Sequence, residues 1–77
     1  NIAIGRLVNE DGEPLSNAVI QNVVGIALAD SNGVFQAEIN QDTNRLEVQQ
    51  GSFRCVAEFN NPRVTDTVLP LGTLVCR

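Results

Sequence analysis

Apolar and polar residues alternate along much of the chain, and the alternation is clearest at residues 35–39. The apolar set there is Phe35, Ala37 and Ile39, and the polar set is Gln36 and Glu38. A β-strand with one buried and one exposed face gives this pattern, because successive side chains point to opposite sides of a sheet. The pattern therefore predicts a half-buried strand directly after a turn at residues 30–33.

Residues 46–49 and 53–59 alternate in the same way and predict two further strands. The residues expected to face inward are Leu46, Val48, Phe53, Cys55, Ala57 and Phe59. Gly51 and Ser52 separate the two segments and predict a turn between them.

Less regular apolar runs predict the remaining strands. They cover residues 2–8, 18–23, 26–29, 65–69 and 71–77. Gly5 interrupts the first run, which predicts a bulge or the close approach of another backbone. Pro70 is expected to end the strand at 65–69, since proline has no N–H to donate to a central ladder.

Two polar segments predict tight turns. In the first, Asp11 and Gly12 supply the positive φ of a tight turn, and Pro14 holds the chain extended so that the following leucine packs under the sheet. In the second, Asn32 and Gly33 complete an Asp-Ser-Asn-Gly sequence, which is the clearest hairpin signal in the chain.

Six to eight short strands with no helical period predict an all-β fold, a small two-sheet β-sandwich of mostly antiparallel strands. The chain has 77 residues, which suits one domain with a modest core. It begins at Asn1 without a methionine. We therefore expect residues 1–77 to form a single sandwich domain, either excised from a longer precursor or a mature secreted chain.

Charge and composition argue against several classes of function. The chain carries five arginines, no lysine and no histidine, with a net charge of −4, so nothing forms a basic stripe for nucleic acid or an anionic membrane. No apolar run approaches the roughly 20 residues of a membrane helix. Because histidine, lysine and tyrosine are all absent, we expect no enzymatic activity. The lack of tryptophan and tyrosine disfavours a carbohydrate-binding module.

Cys55 and Cys76 leave two interpretations open. An even number of cysteines in a small domain predicts a disulfide, worth about 3 kcal/mol for a loop of this length, and hence an oxidising compartment. The alternative is a pair of buried free thiols in a cytosolic domain. Two thiolates without histidine cannot complete a tetrahedral zinc site, so no zinc is expected.

Acidic residues near the two turns raise the question of calcium. Glu10, Asp11, Glu13 and Asp30 offer oxygen ligands, but the spacing of a twelve-residue calcium loop is missing. Acidic side chains that accept hydrogen bonds from their own turn backbones explain these positions better. We expect neither a metal nor a cofactor.

The order of the motifs resembles the C-terminal periplasmic domain of bacterial outer-membrane fimbrial ushers, over nearly the whole chain. The segments that carry the resemblance are Ile4-Gly5-Arg6-Leu7-Val8, Asp11-Gly12-Glu13-Pro14-Leu15, Ala18-Val19-Ile20, Asp30-Ser31-Asn32-Gly33-Val34-Phe35, Leu46-Glu47-Val48, and Cys55 with Phe59 and Cys76. Gln49-Gln50-Gly51 stands where the commonest ushers have an aromatic-glycine pair, which indicates a divergent branch.

The resemblance implies a transthyretin-like or immunoglobulin-like sandwich at the C-terminus of a larger membrane protein. The domain would lie in the periplasm, bind chaperone-pilus subunit complexes, contact other domains of the parent usher and catalyse nothing. Val34 and Val56 are candidates for partner binding, since each points opposite an inward residue; burial under a second sheet is the competing interpretation. A transthyretin-like or carboxypeptidase-regulatory-like spacer module of a secreted or surface protein is the alternative function.

Overall fold

A computed structural model describes residues 1–62 and 67–77, and the described residues form strands, turns and loops without a helix. The strands are β1 (Ile2–Val8), β2 (Val19–Ile20), β3 (Ala27–Leu28), β4 (Val34–Glu38), β5 (Arg45–Gln50), β6 (Phe53–Glu58) and β7 (Val68–Val75). They form two mostly antiparallel sheets, as the alternation predicted.

The three-stranded sheet has the order β4-β1-β7, and the four-stranded sheet has the order β3-β2-β5-β6. All pairs are antiparallel except β1 and β7, which run parallel with Ile2 opposite Val68. A parallel pair requires the chain to cross over between the two strands. Here the crossover contains the entire four-stranded sheet, so the first and last strands lie side by side.

The core is apolar and lies between the sheets. Its most deeply buried large side chains are Leu7, Leu15, Ile20, Leu46, Val48 and Cys76. In β4 the burial alternates residue by residue, with Phe35 and Ala37 buried and Gln36 exposed, which confirms the predicted faces. Removing such side chains from water is the main force that stabilises a domain of this size.

The predicted strand break at Pro70 is wrong. β7 runs from Val68 through Pro70 to Val75, while Thr65 and Asp66 lie outside the described residues. Ile2 N donates to Thr67 O, so the groups of β7 that face β1 belong to odd-numbered residues in this part of the strand. Pro70 pairs with Ile4, so its backbone nitrogen points toward the free edge of the sheet. No hydrogen bond of the β1–β7 ladder is lost there.

The predicted hairpin at residues 30–33 is also wrong, although the turn itself is present. Gly33 N donates to Asp30 O at 3.0 Å, and Asp30 N donates to Val34 O at 2.8 Å. The flanking strands, however, belong to different sheets: β3 pairs with β2 and β4 pairs with β1. The turn carries the chain from the four-stranded to the three-stranded sheet.

β2 is shorter than the predicted strand at 18–23, because beyond Ile20 a side chain takes over hydrogen bonds to β5 that a strand would make with its backbone. Gln21 N still donates to Glu47 O, but Asn22 Nδ2 then donates to Arg45 O and Asn22 Oδ1 accepts from Glu47 N, both at 2.8 Å. The chain then leaves the sheet and returns at β3, which covers two of the four residues predicted at 26–29.

Two other expectations concern Phe53 and Gly5. Phe53, predicted to face inward, is 45% exposed because it opens β6 at the end of the sandwich, directly after the turn. At Gly5 the predicted close approach of another backbone is confirmed, and the register shift between Ile4 and Gly5 skips Leu71, so the extra residue of the bulge lies in β7. A Cβ at Gly5 would lie 2.8 Å from Gly72 O, so only glycine permits this approach.

Candidate functional site

A disulfide joins Cys55 of β6 to Cys76, which directly follows β7. Because β6 and β7 belong to different sheets, the bond connects the sheets to each other. Both cysteines are buried, and their Cα atoms are 5.4 Å apart. A buried disulfide of this kind fits an extracytoplasmic domain.

A groove opens beside the disulfide, between the edges of β6 and β7. At its closed end Arg77 N donates to Val56 O at 2.9 Å, and Val56 N donates to Arg77 O at 3.2 Å. Beyond this pair the strands separate and leave about 430 Å³. The residues that line this edge groove are Val56, Glu58, Thr73, Leu74, Val75 and Arg77.

A second surface is the outer face of the three-stranded sheet. Four apolar residues pair across β1 and β7 on this face, Ile2 with Val68 and Ile4 with Pro70. Ile4 is 37% exposed and Val68 60% exposed. We call these four residues the apolar face. Contiguous exposed apolar surface on a small protein commonly marks a contact with another molecule.

The structure places the two candidate contact residues on different sheets. Val34 lies on the three-stranded sheet beside Arg6, at the end of the apolar face, and is 46% exposed. Val56 lies on the four-stranded sheet, is half-buried and lines the edge groove. They therefore do not form one contact site.

In the first predicted turn the side chain that accepts hydrogen bonds from the turn backbone is Asn9, and not an acidic residue as the sequence predicted. Asn9 Oδ1 accepts hydrogen bonds from the N–H groups of Asp11 and Glu13, at 3.0 and 2.9 Å. Gly12 has a φ of +83°, and Pro14 forms a single antiparallel bridge with Val8. The turn therefore lies against the end of β1.

The second turn repeats this arrangement. Asp30 Oδ1 accepts from Asn32 N at 2.8 Å and from Val34 N at 2.9 Å. Gly33 is buried with a φ of +79°. An Asn or Asp at the first position of a turn is the sequence signal for this contact, and it identifies both Asn9 and Asp30.

Other kinds of site have little support in the described part of the chain. Its His, Cys, Asp and Glu residues form no group of three that would hold a metal ion, and it buries no charged or polar residue. A polar hollow at residues 40–45 is lined by amide, hydroxyl and charged groups from the loop, with Asn22 opposite. Within residues 1–62 and 67–77, no helix is long and apolar enough to cross a membrane.

The geometry defines a class of protein: a small disulfide-bonded β-sandwich module with an exposed apolar face and a groove at its strand edges. A comparison with protein families matches residues 1–77 to the family described as CS1-pili formation C-terminal. The chain belongs to this family, which connects it with pilus formation. Searches of the curated proteins and of the solved structures returned no match.

Proposed function

We propose that this chain is the non-catalytic, periplasmic C-terminal domain of an outer-membrane usher and that it binds chaperone-pilus subunit complexes during pilus assembly. The observation that carries the proposal is the family match, which extends over residues 1–77 and concerns the C-terminal part of a pilus-formation protein. In this proposal residues 1–77 form one domain, and its neighbours are the other domains of the usher.

The apolar face supports a binding role. A spacer module surrounded by water would not need to group apolar side chains on its surface, as this face groups Ile2, Ile4, Val68 and Pro70. Gln36 and Glu38 flank them on β4, opposite Ile4 and Ile2. An apolar centre with a polar rim is typical of protein contacts that form and separate.

The disulfide and the composition support the remaining parts of the proposal. A disulfide between Cys55 and Cys76 persists in an oxidising compartment such as the periplasm. The chain has no histidine, lysine or tyrosine. A role in holding and positioning other proteins requires none of these groups.

Calorimetric titration with cognate chaperone-subunit complexes tests the function. We expect weak but saturable binding to the complexes and none to free subunits. No binding at high micromolar concentration would contradict the proposal and favour the spacer module.

Two matched variants test the surface. Val68→Arg places a charge on the apolar face, whereas Leu28→Arg makes a similar change at a residue of equal exposure, 61% against 60%, on the four-stranded sheet. We expect Val68→Arg to weaken binding about tenfold or more, since a desolvated, unpaired charge costs well over 1 kcal/mol, and Leu28→Arg to bind as the wild type does. Equal binding by both variants would remove the apolar face from the proposal.

A further inference from the structure

We infer that the edge groove between β6 and β7 accepts an extended segment of the partner, which adds to β7 as a further strand at Thr73 to Val75. The inference rests on the proposed function, because the segment belongs to the chaperone-subunit complex. It assigns a mode of contact to a surface separate from the apolar face.

The direction of the backbone groups in β7 carries the first step. Cys76 N donates to Val8 O at 2.8 Å, so Cys76 faces β1. Successive residues of a strand direct their N–H and C=O groups to opposite sides. The groups of Val75 and Thr73 therefore point away from β1 and into the groove, where the described residues offer them no partner.

The second step is an interrupted ladder. Arg77 and Val56 exchange both of their backbone hydrogen bonds, which is the pattern of an antiparallel pair. Continued in register, the next such pair would join Glu58 to Val75. The strands instead separate there, and the edge groove occupies that position.

The other strand edges in the described part of the chain are covered or short. On β4, Val34 N and O bond to Asp30, and Glu38 O accepts from Val24 N, which leaves only Gln36 between them. β3 has only two residues, and at the edge of β6 the backbone groups of Val56 are already bonded to Arg77. The stretch of β7 beside the groove is therefore the longest edge open to pairing.

The groove itself limits and selects its occupant. Pro70 has no N–H, and the bulge at Leu71 distorts the edge, so pairing is confined to the stretch after the bulge. Unpaired N–H and C=O groups in a row fit an extended polypeptide backbone, which is the basis of strand addition. Glu58 is exposed at the open end of the groove and Arg77 lies at the closed end. Charge complementarity therefore favours a short segment with a basic residue beside Glu58.

Three variants separate the backbone contact from side-chain effects. Val75→Pro removes the N–H that points into the groove and leaves the ladder with β1 intact. Val75→Ala keeps this N–H and removes most of the side chain. Leu28→Pro removes an outward N–H from β3, the edge of the other sheet, and is the matched proline control.

Titration with chaperone-pilus subunit complexes then gives the expected result. Val75→Pro should weaken binding about tenfold, because it leaves an acceptor of the segment unsatisfied, while the two controls remain within about twofold of the wild type. Thermal melts check that each variant is folded. Amide hydrogen exchange on the wild type is the second measurement: Thr73 and Val75 should become protected in the complex, and Leu28 should not.

The outcomes distinguish the two proposals. If the wild type binds, but Val75→Pro binds equally well and the amides of Thr73 and Val75 gain no protection, the inference is wrong and the proposed function stands. If the wild type does not bind, the proposed function fails and the inference fails with it. If Val75→Pro does not fold, the exchange measurement alone decides.

Discussion

Replacing Gly33 by alanine tests how the two turns are joined. Leu7 N donates to Gly33 O at 2.8 Å, and Leu7 O accepts from Leu15 N at 2.9 Å. A Cβ at Gly33 would collide with Leu7 O and lie 3.3 Å from Leu15 N, both backbone atoms that cannot turn aside. The clash therefore falls on the point where both turns are held against β1.

The magnitude has two parts. Placing alanine at a φ of +79° costs about 1–2 kcal/mol, because Cβ approaches the following carbonyl. Forcing the backbone of Leu7 aside adds about 1–3 kcal/mol of overpacking, so Gly33→Ala should lose about 2–5 kcal/mol in total. A chain of this length has roughly 4–12 kcal/mol of stability, so the loss is a large fraction of it.

Gly12→Ala is the matched control. Gly12 has a similar φ of +83°, but a Cβ there would meet nothing within 4 Å. It should therefore lose only the conformational part, about 1–2 kcal/mol. Urea unfolding with the disulfide intact measures both variants. If their free energies of unfolding agree within about 0.5 kcal/mol, the collision with Leu7 does not determine stability and the reasoning is refuted.

Two further changes give shorter predictions. Asp30→Ala should lower the free energy of unfolding by about 1–2 kcal/mol, because the N–H groups of Asn32 and Val34 lose their acceptor. Asp30→Asn keeps an acceptor oxygen, so its loss in the same urea assay should be less than half as large. Gly5→Ala should cost about 1–3 kcal/mol by displacing the Gly72 carbonyl, and a melting temperature unchanged within error would contradict the close approach.

Strand faces follow from the sequence because their cause is local. The period of two at residues 35–39 is visible in the letters, and the structure buries Phe35, Ala37 and Ile39 accordingly. Turn chemistry is local as well, since a positive φ at Gly33 can be expected from its neighbours alone. The fold class follows from these two signals together.

Sheet membership does not follow, because it depends on contacts between distant residues. The same Asp-Ser-Asn-Gly turn can form a hairpin or carry the chain from one sheet to the other. The bonding partners on its two sides decide: before the turn Ala29 N donates to Ala18 O, and at its end Gly33 O accepts from Leu7 N. Pro70 is a similar case: the sequence shows that it lacks an N–H, and only the parallel pairing with β1 shows that the gap faces an edge.

The candidate contact residues were predictable only in part. Period-two reasoning places Val34 opposite Phe35, and Val34 is exposed, but the same reasoning cannot say that Val56 lines a groove. That groove depends on Arg77 meeting Val56 from another sheet. The contact roles of both valines stay predictions until binding is measured.

The disulfide makes a last prediction, because it lies beside the closed end of the groove. The double variant Cys55→Ala, Cys76→Ala should lower the free energy of unfolding by about 3 kcal/mol, because without the bond the unfolded chain gains the entropy of an open loop of this length. Urea unfolding measures this loss. It should also release Arg77 from Val56, since the bond holds the neighbouring residue against β6.

Amide exchange separates these two effects. The amide of Arg77 should lose more protection than that of Phe35, whose strand pairs with β1 and shares only the global loss of stability. If both amides lose protection equally, the disulfide stabilises the whole fold without fixing the groove. In that case the β1–β7 ladder alone holds Arg77 against Val56. Reduction of the disulfide should then leave the binding of an extended segment unchanged under conditions in which the chain stays folded.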